Sequence, residues 1–467
     1  MGRRRIQRVQ DSVHGLMEFE GMETSVVEVL RAPELQRLRR VRQLGLGHLV
    51  FPGAEHSRLV HSIGAAHLAT RFGRHLSKVS WDVLVDFLRP TSSQIRDLAL
   101  AALFHDLGHG PLSHVWEREA IGESFNRRLW CEKLGLPYDD SLAHLKWHEL
   151  IGQALLNWPD GPLHRLLEQQ EETTSQRVRH LLLKHYYLPY LPRLLSGDID
   201  VDRCDFVLRD AHQTGVAYGR YDLNWLISTT TLGRTEHGEL VIGFERRKAL
   251  RVVEQFLVAR RALYETVYYH KTVRGAEGMI GLLLRRLREI ALDTWPVSRS
   301  EFFSPMMKVI KGEPISPNEI LGLDDYVLWM LIHELAKAKS VDVTLADLAQ
   351  RIVARDLFKM VPCSGDEVSE FMNKQNAQEL LKDAVSPYCA GESSFYYFID
   401  RAKFQMLSES EPERVYFVDT DTKERRATAI WDHPDFGTNY WKSSSTSVRL
   451  FVPREAVEAI KKLVAGG

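Results

Sequence analysis

Residues 95–117 read IRDLALAALFHDLGHGPLSHVWE, and the fold follows from how this stretch must be buried. Leu98 to Phe104 is an apolar run that predicts a buried helix, delivering His105 and Asp106 to its C-terminal end before Gly108 and Gly110 break it. An ionised Asp106 in that setting needs compensation, because burying an unpartnered carboxylate costs several kcal/mol or more. A divalent cation is the most economical compensation when imidazoles sit beside the carboxylate.

Working outward, ten of the 19 histidines fall between His48 and His148, several of them in apolar helical surroundings. His61, in SRLVHSIGAAHLA (57–69), is predicted on a helix where Gly64 and Ala65 permit a neighbouring helix to come close. Asp202, in SGDIDVDRCDFVLRD (196–210), follows a break at Gly197 and starts another helix. His61, His105, Asp106 and Asp202 form a mixed nitrogen and oxygen donor set suited to Fe, Mn, Zn, Co or Ni, with open positions for water and a phosphate oxygen. An isolated His-Asp pair is usually a cap or a surface salt bridge. The metal reading stands because four elements occur in order, each in an apolar helical context.

The rest of the chain is read as mainly α. Helical spacing runs from Ala32 to about Leu292, interrupted by a short hairpin at Thr230 to Phe244. Helices are expected again at Tyr326 to Ala338 and Val341 to Leu357, and strands at Arg414 to Val418 and Val448 to Val452. This predicts a helical bundle over 1–295 and a smaller helical and α+β C-terminal lobe over 296–467. At 467 residues the chain has room for such a division. Lys+Arg at 61 against Asp+Glu at 62 gives no global electrostatic reason for a membrane or nucleic-acid partner. The four cysteines form no CxxC pair, no apolar core follows the basic start MGRRRIQRV, and a cytoplasmic setting is expected.

The motif HDLGHGPLSH adds two glycines, a proline and two histidines in fixed order, and in it the chain resembles the HD-domain deoxynucleoside triphosphate triphosphohydrolases, especially those that also carry a sterile alpha motif. The resemblance runs through DSVHG (11–15), LQRLRRVRQLGLGHLVFPGAEHSRLVHSIG (35–64), DVDRCDFVLRDAHQTG (200–215) and YYHK (268–271), and more loosely FVPRE (451–455). It implies hydrolysis of a dNTP to deoxynucleoside and inorganic triphosphate, with a transition metal at the four ligands and Mg on the triphosphate.

The resemblance also implies roles. His109 is the proton donor to the departing 5′ oxygen, Glu117 stands where the relatives carry Asp to orient it, and His148 is a further active-site histidine. Arg58, His114, Arg203 and Arg260 match phosphate-contacting positions, with Arg203 in place of Lys and Phe206 in place of Tyr. Gln43, Leu44 and Asp210 match the positions that read the sugar, and Tyr268 a base-proximal aromatic. Gln36 and Arg39 match a regulatory nucleotide site whose guanine-reading Asp is Arg31 here. A homo-oligomer, dimer or tetramer, is implied. The readings weighed against this one are an HD phosphodiesterase or nuclease with the same metal set, and a nucleotide-sensing scaffold. Depletion of dNTPs would serve either housekeeping or antiviral defence.

Overall fold

The computed structural model describes residues 6–122, 125–290, 301–337, 339, 342–404, 407, 414–432, 436 and 445–466. It opens on an antiparallel hairpin of β1 (Ile6–Asp11) and β2 (Gly15–Glu20), paired from Ile6↔Glu20 to Asp11↔Gly15. The sequence reading had no element here. Arg8, Gln10 and Glu18 make the two strands too polar to announce a buried sheet face.

Two helices then set the frame, α1 (Arg58–Leu76) and α2 (Ser92–Phe104), packed against each other. α2 begins with a reciprocal cap in which Gln94 N donates to Thr91 Oγ1 and Thr91 N to Gln94 Oε1. Every residue from Ile95 to Phe104 is buried, the pattern of a central helix. Each buried Leu or Phe of that run contributes about 1.5–3 kcal/mol. α3 (Trp147–Asn157) packs beside the turn that follows α2, and α4 (Val201–Thr214) crosses α1. α4 starts where the Asp200 carboxylate accepts a hydrogen bond from Arg203 N.

The expected hairpin is β3 (Thr230–Arg234) with β4 (Leu240–Glu245). The long helices α5 (Arg246–Leu263) and α6 (Lys271–Glu289) follow it. In the C-terminal part, α7 (Asp325–Leu335) and α8 (Val343–Val353) occupy the two expected helical stretches, whose outer limits Ala338 and Val341 lie outside the described residues. The caps Asp324 and Asp342 fix both starts by accepting Val327 N and Leu345 N.

The strand β5 (Lys359–Met360) and β6 (Phe398–Phe404) flank β9 (Ser445–Val452) antiparallel, while β7 (Tyr416–Val418) and β8 (Ala427–Ala429) extend the first hairpin into a sheet ordered β3-β4-β7-β8. The β4–β7 step is parallel, with Phe244 opposite Phe417. The fold is therefore mainly α with a small α+β part. One apolar core extends from Met17 to Val464. The expected division at 295/296 falls within 291–300, outside the described residues. Among the described residues no helix is long and apolar enough to cross a membrane.

Candidate functional site

α1, α2 and α4 converge on one point. His61 is fully buried on α1, His105 and Asp106 follow the last residue of α2, and Asp202 lies in the first turn of α4. Donor atoms of His61, His105 and Asp106 lie within 4.8 Å of one another. Asp202 Oδ1 joins them at 3.0 Å from His61 Nε2 and 3.5 Å from His105 Nε2.

The outward-facing ring nitrogens explain the convergence. His61 Nδ1 is 2.7 Å from Asp205 Oδ2, and His105 Nδ1 is 2.7 Å from the carbonyl oxygen of Ala102. Both oxygens accept, so each Nδ1 donates and each ring, when neutral, turns a lone pair inward, the two Nε2 atoms facing each other at 3.3 Å. Burial opposes a charge on His61, yet Asp202 and Asp205 carry its pKa up to about 10. His105 is raised to about 8 by Asp106 and Asp202 against the same burial. Asp106 and Asp202 stay well below the usual carboxylate range despite burial, the first through Arg58 and the histidines, the second through His105 and His61. The cluster calls for positive charge at its centre, and its donor set fits a metal ion.

A buried network fixes the first histidine. The Asp205 carboxylate accepts His61 Nδ1, His14 Nε2 at 2.6 Å, and Arg209 Nε and Nη2 at 2.7 and 2.9 Å. Arg209 in turn pairs with Asp11 at 2.9 Å, so the tip of the N-terminal hairpin is tied through Asp205 to His61. Gly64 makes this possible, since a Cβ there would lie 2.0 Å from Asp205 Oδ1. Truncating one member of such a buried charge network costs about 3–5 kcal/mol.

Beside the first cluster stands a second, of His109, Glu117 and His148. The two rings stack with centroids 4.0 Å apart. Glu117 Oε1 is 2.5 Å from His148 Nδ1 and 3.5 Å from His109 Nδ1, while His109 Nε2 lies 3.3 Å from Asp106 Oδ1. The longer Glu side chain thus hydrogen-bonds His148 and comes within ion-pair distance of His109, whose buried Nδ1 has no hydrogen-bond partner among the described residues. Burial, then Arg58 and His148, push the His109 pKa well below its ordinary value. Glu117 is held below its own ordinary value in spite of burial, chiefly by its hydrogen bond to His148.

α3 can lie this close only because residue 108 is glycine, where a Cβ would sit 1.9 Å from the His148 carbonyl oxygen. The same turn holds Leu112 at φ 50° and Ser113 at φ 54°, ψ −109°. Such backbone costs roughly 1–3 kcal/mol per residue and persists where surrounding contacts impose it. One contact is Arg58, whose Nε donates to Ser113 Oγ at 2.7 Å and whose Nη1 pairs with Asp106.

A cavity of about 640 Å3 opens over both clusters. Gln43, Leu44, Arg58, His114, Arg203, Phe206, Asp210 and Tyr268 line it, so the fold gathers residues spread over more than two hundred positions. Asp210 is gripped from two sides, by His56 Nε2 at 2.8 Å and by Tyr268 Oη at 2.7 Å. Gln43 Oε1 is a buried acceptor with no hydrogen-bond partner among the described residues. Arg260 sits behind the wall, 3.7 Å from Asp198 and over the Tyr264 ring. Gln36 and Arg39 are apart from the cavity wall and bond to each other, Arg39 Nε to Gln36 Oε1 at 2.7 Å.

Sequence reasoning missed His14, His56, Lys146, Lys184 and Asp200. His14 lay in the quoted DSVHG, a signal present but unread. Lys146 and Lys184 line the cavity from stretches with no motif.

Comparison with known proteins accords with this geometry. Residues 58–155 match the family model described as HD domain. Among curated relatives, the uncharacterized protein YwfO of Bacillus subtilis is 28% identical over 398 residues, covering 84% of this chain and 78% of that one. The deoxynucleoside triphosphate triphosphohydrolase SAMHD1 of Gallus gallus is 28% identical over 292 residues, covering 58% of this chain and 44% of the relative, so the match spans less than half of that protein's length. The crystal structure of a phosphohydrolase from Bacteroides thetaiotaomicron shares the fold with a TM-score of 0.74 at 22% identity, over 96% of this chain and 100% of that one.

Proposed function

We propose, from the premise that this chain carries an HD domain, that it is a metal-dependent triphosphohydrolase converting a dNTP and water into a deoxynucleoside and inorganic triphosphate. The observation that carries this reading is the shared cavity, in which two imidazoles and two carboxylates stand between the cationic Arg58 and Arg203 and a wall of Gln43, Leu44 and Asp210. The relatives named as dNTP triphosphohydrolases support the choice of substrate.

His61, His105, Asp106 and Asp202 would hold a divalent ion, Fe, Mn, Zn, Co or Ni, which when bound polarises a phosphate oxygen and activates water. Arg58, Arg203 and His114, joined by Lys146 and Lys184, receive the triphosphate, whose charge Mg would partly neutralise. Asp210, its orientation held by His56 and Tyr268, accepts from a sugar hydroxyl, and the unpartnered Gln43 Oε1 offers a second acceptor beside Leu44. Phe206 and Tyr268, ring centroids 6.2 Å apart, bound the base side.

In the reaction a water oxygen bonds to the α-phosphorus, the bond from that phosphorus to the 5′ oxygen breaks, and a proton reaches the departing oxygen. His109 donates it. Unliganded, His109 is depressed toward the neutral form, and an anionic triphosphate would oppose that by adding negative charge beside it. Glu117 and the stacked His148 orient the ring. One observation favours His114 as an alternative donor, since it is exposed to the cavity while His109 Nε2 faces Asp106. Gln36 and Arg39 would serve a regulatory nucleotide outside the cavity in a homo-oligomer, with Arg39 reoriented from its present partner.

The test is chromatography of products from each dNTP and NTP, singly and mixed, with Mn, Mg, Fe or Co. Deoxynucleoside and intact triphosphate are expected. Release of monophosphate, or cleavage of cyclic nucleotides alone, would move the chain to the phosphodiesterases.

A further inference from the structure

We propose that Arg37 and Asp325 are positioning residues of the catalytic turn 105–117, so that turnover depends on residues 323–325 being docked against it. This rests on the hydrolase reading above. The turn makes backbone hydrogen bonds of its own, His109 N to the Asp106 carbonyl at 3.1 Å and Ser113 N to the Gly110 carbonyl at 3.0 Å, and two buried side chains hold other groups of its backbone. Arg37, 1% exposed, donates Nη2 to the Leu107 carbonyl and Nη1 to the His109 carbonyl, both at 2.6 Å, and Nη1 also to the carbonyl of Leu323 at 2.8 Å. Asp325, fully buried, accepts from Leu112 N at 2.7 Å and from Arg42 N at 3.0 Å. Leu112 is the first of the two left-handed residues, and its amide is turned toward Asp325 by that conformation. A buried guanidinium ordinarily pairs with a carboxylate. Arg37 instead gives its terminal N–H groups to carbonyls, two of them flanking the bend between His105 and His109.

The turn is therefore held from both sides in sequence, by Arg37, 70 residues before Leu107, and by Asp325, 213 residues after Leu112. The loss of Asp325 frees the Leu112 amide, and the following Ser113, on which Arg58 leans, moves with it. Misplacement of catalytic groups by about 1 Å costs on the order of 10^2-fold in rate. The neighbouring Asp324 supplies the control. It caps α7 through Tyr326 N and Val327 N, pairs with Arg40 and makes no hydrogen bond to the turn, acting on the clamp only through the charge it sets near Arg37.

The experiment compares full-length wild type, Asp325→Asn, Arg37→Met and Asp324→Ala, each loaded with Mn2+. Amide hydrogen exchange of peptides covering 105–117 is followed together with Mn2+ content, kcat and KM. In Asp325→Asn and Arg37→Met the turn should exchange at least about tenfold faster, with kcat down on the order of 10^2-fold and Mn2+ content and KM little changed. Asp324→Ala should lower the melting temperature with turn exchange and kcat as in wild type. Wild-type exchange of the turn in Asp325→Asn, or equal effects in Asp324→Ala, overturns the proposal. Should wild type hydrolyse no dNTP, the hydrolase reading fails while the exchange data still decide the clamp. Should Arg37→Met not fold, Asp325→Asn carries the test.

Discussion

Two clusters of histidine and carboxylate lie side by side in this protein, made of the same residue types and facing opposite ways. In the first, His61 and His105 are anchored through Nδ1 to Asp205 and to the Ala102 carbonyl, so both Nε2 atoms turn inward toward two carboxylates. In the second, Glu117 sits between the Nδ1 atoms of two stacked rings, and His109 turns Nε2 toward Asp106. The difference teaches that the atom behind each imidazole decides its chemistry. Inward lone pairs suit a cation, whereas a carboxylate behind a ring suits proton transfer.

The largest test of that contrast is His105→Ala with Asp106→Ala. Bound metal measured by elemental analysis should vanish together with turnover, and a metal-replete, active double variant would remove the first cluster from the chemistry. Next, His109→Ala should keep its metal while turnover falls by about 10^2–10^4-fold. A normal rate in that variant with a loss in His114→Ala would transfer the acid to His114. Asp205→Asn removes the anchor behind His61 and should weaken Mn2+ binding roughly 10–100-fold by calorimetric titration, with the second cluster unaffected. Unchanged affinity would show that the anchor does not matter.

The smallest effect concerns stability and pH. Burial raises the Asp325 carboxyl from 3.8 to about 6. Because its folded pKa lies above the unfolded one, the native state holds this proton more tightly, and ionised Asp325 lowers stability as pH rises through that window. Beside a pH-independent loss from the missing acceptor, the stability of Asp325→Asn relative to wild type should therefore shift in the variant's favour as pH rises from about 4 to about 6 and level off above, by at most about 3 kcal/mol at 1.36 kcal/mol per unit. Melting temperatures across that range check it, and a pH-independent difference would mean that burial does not perturb the carboxyl.

The helices that carry the first cluster were legible because their signals are local. The run from Leu98 to Phe104 has one reading when buried, and the glycine break after Asp106 leaves His105 and Asp106 at its end. The hairpin tip was not legible as part of the site. Nothing local to His14 says that it meets Asp205, which is 191 residues away. The same holds for Asp325, which in sequence is one of two adjacent aspartates at a helix start. One caps the helix and the other holds the turn, and only packing separates them.

The sequence by itself determined the mainly α fold, the order of the metal-binding residue types and the glycines that admit close helices, since each depends on periodicity or on the absence of a side chain. Tertiary structure alone decided which nitrogen of each histidine faces inward, which carboxylate lies behind it, and that Asp325 accepts from Leu112 N in the turn after α2. Those choices depend on partners brought together by burial from distant parts of the chain. No local propensity encodes them, because the energy of a hydrogen bond or ion pair depends on where its partner and its solvent are.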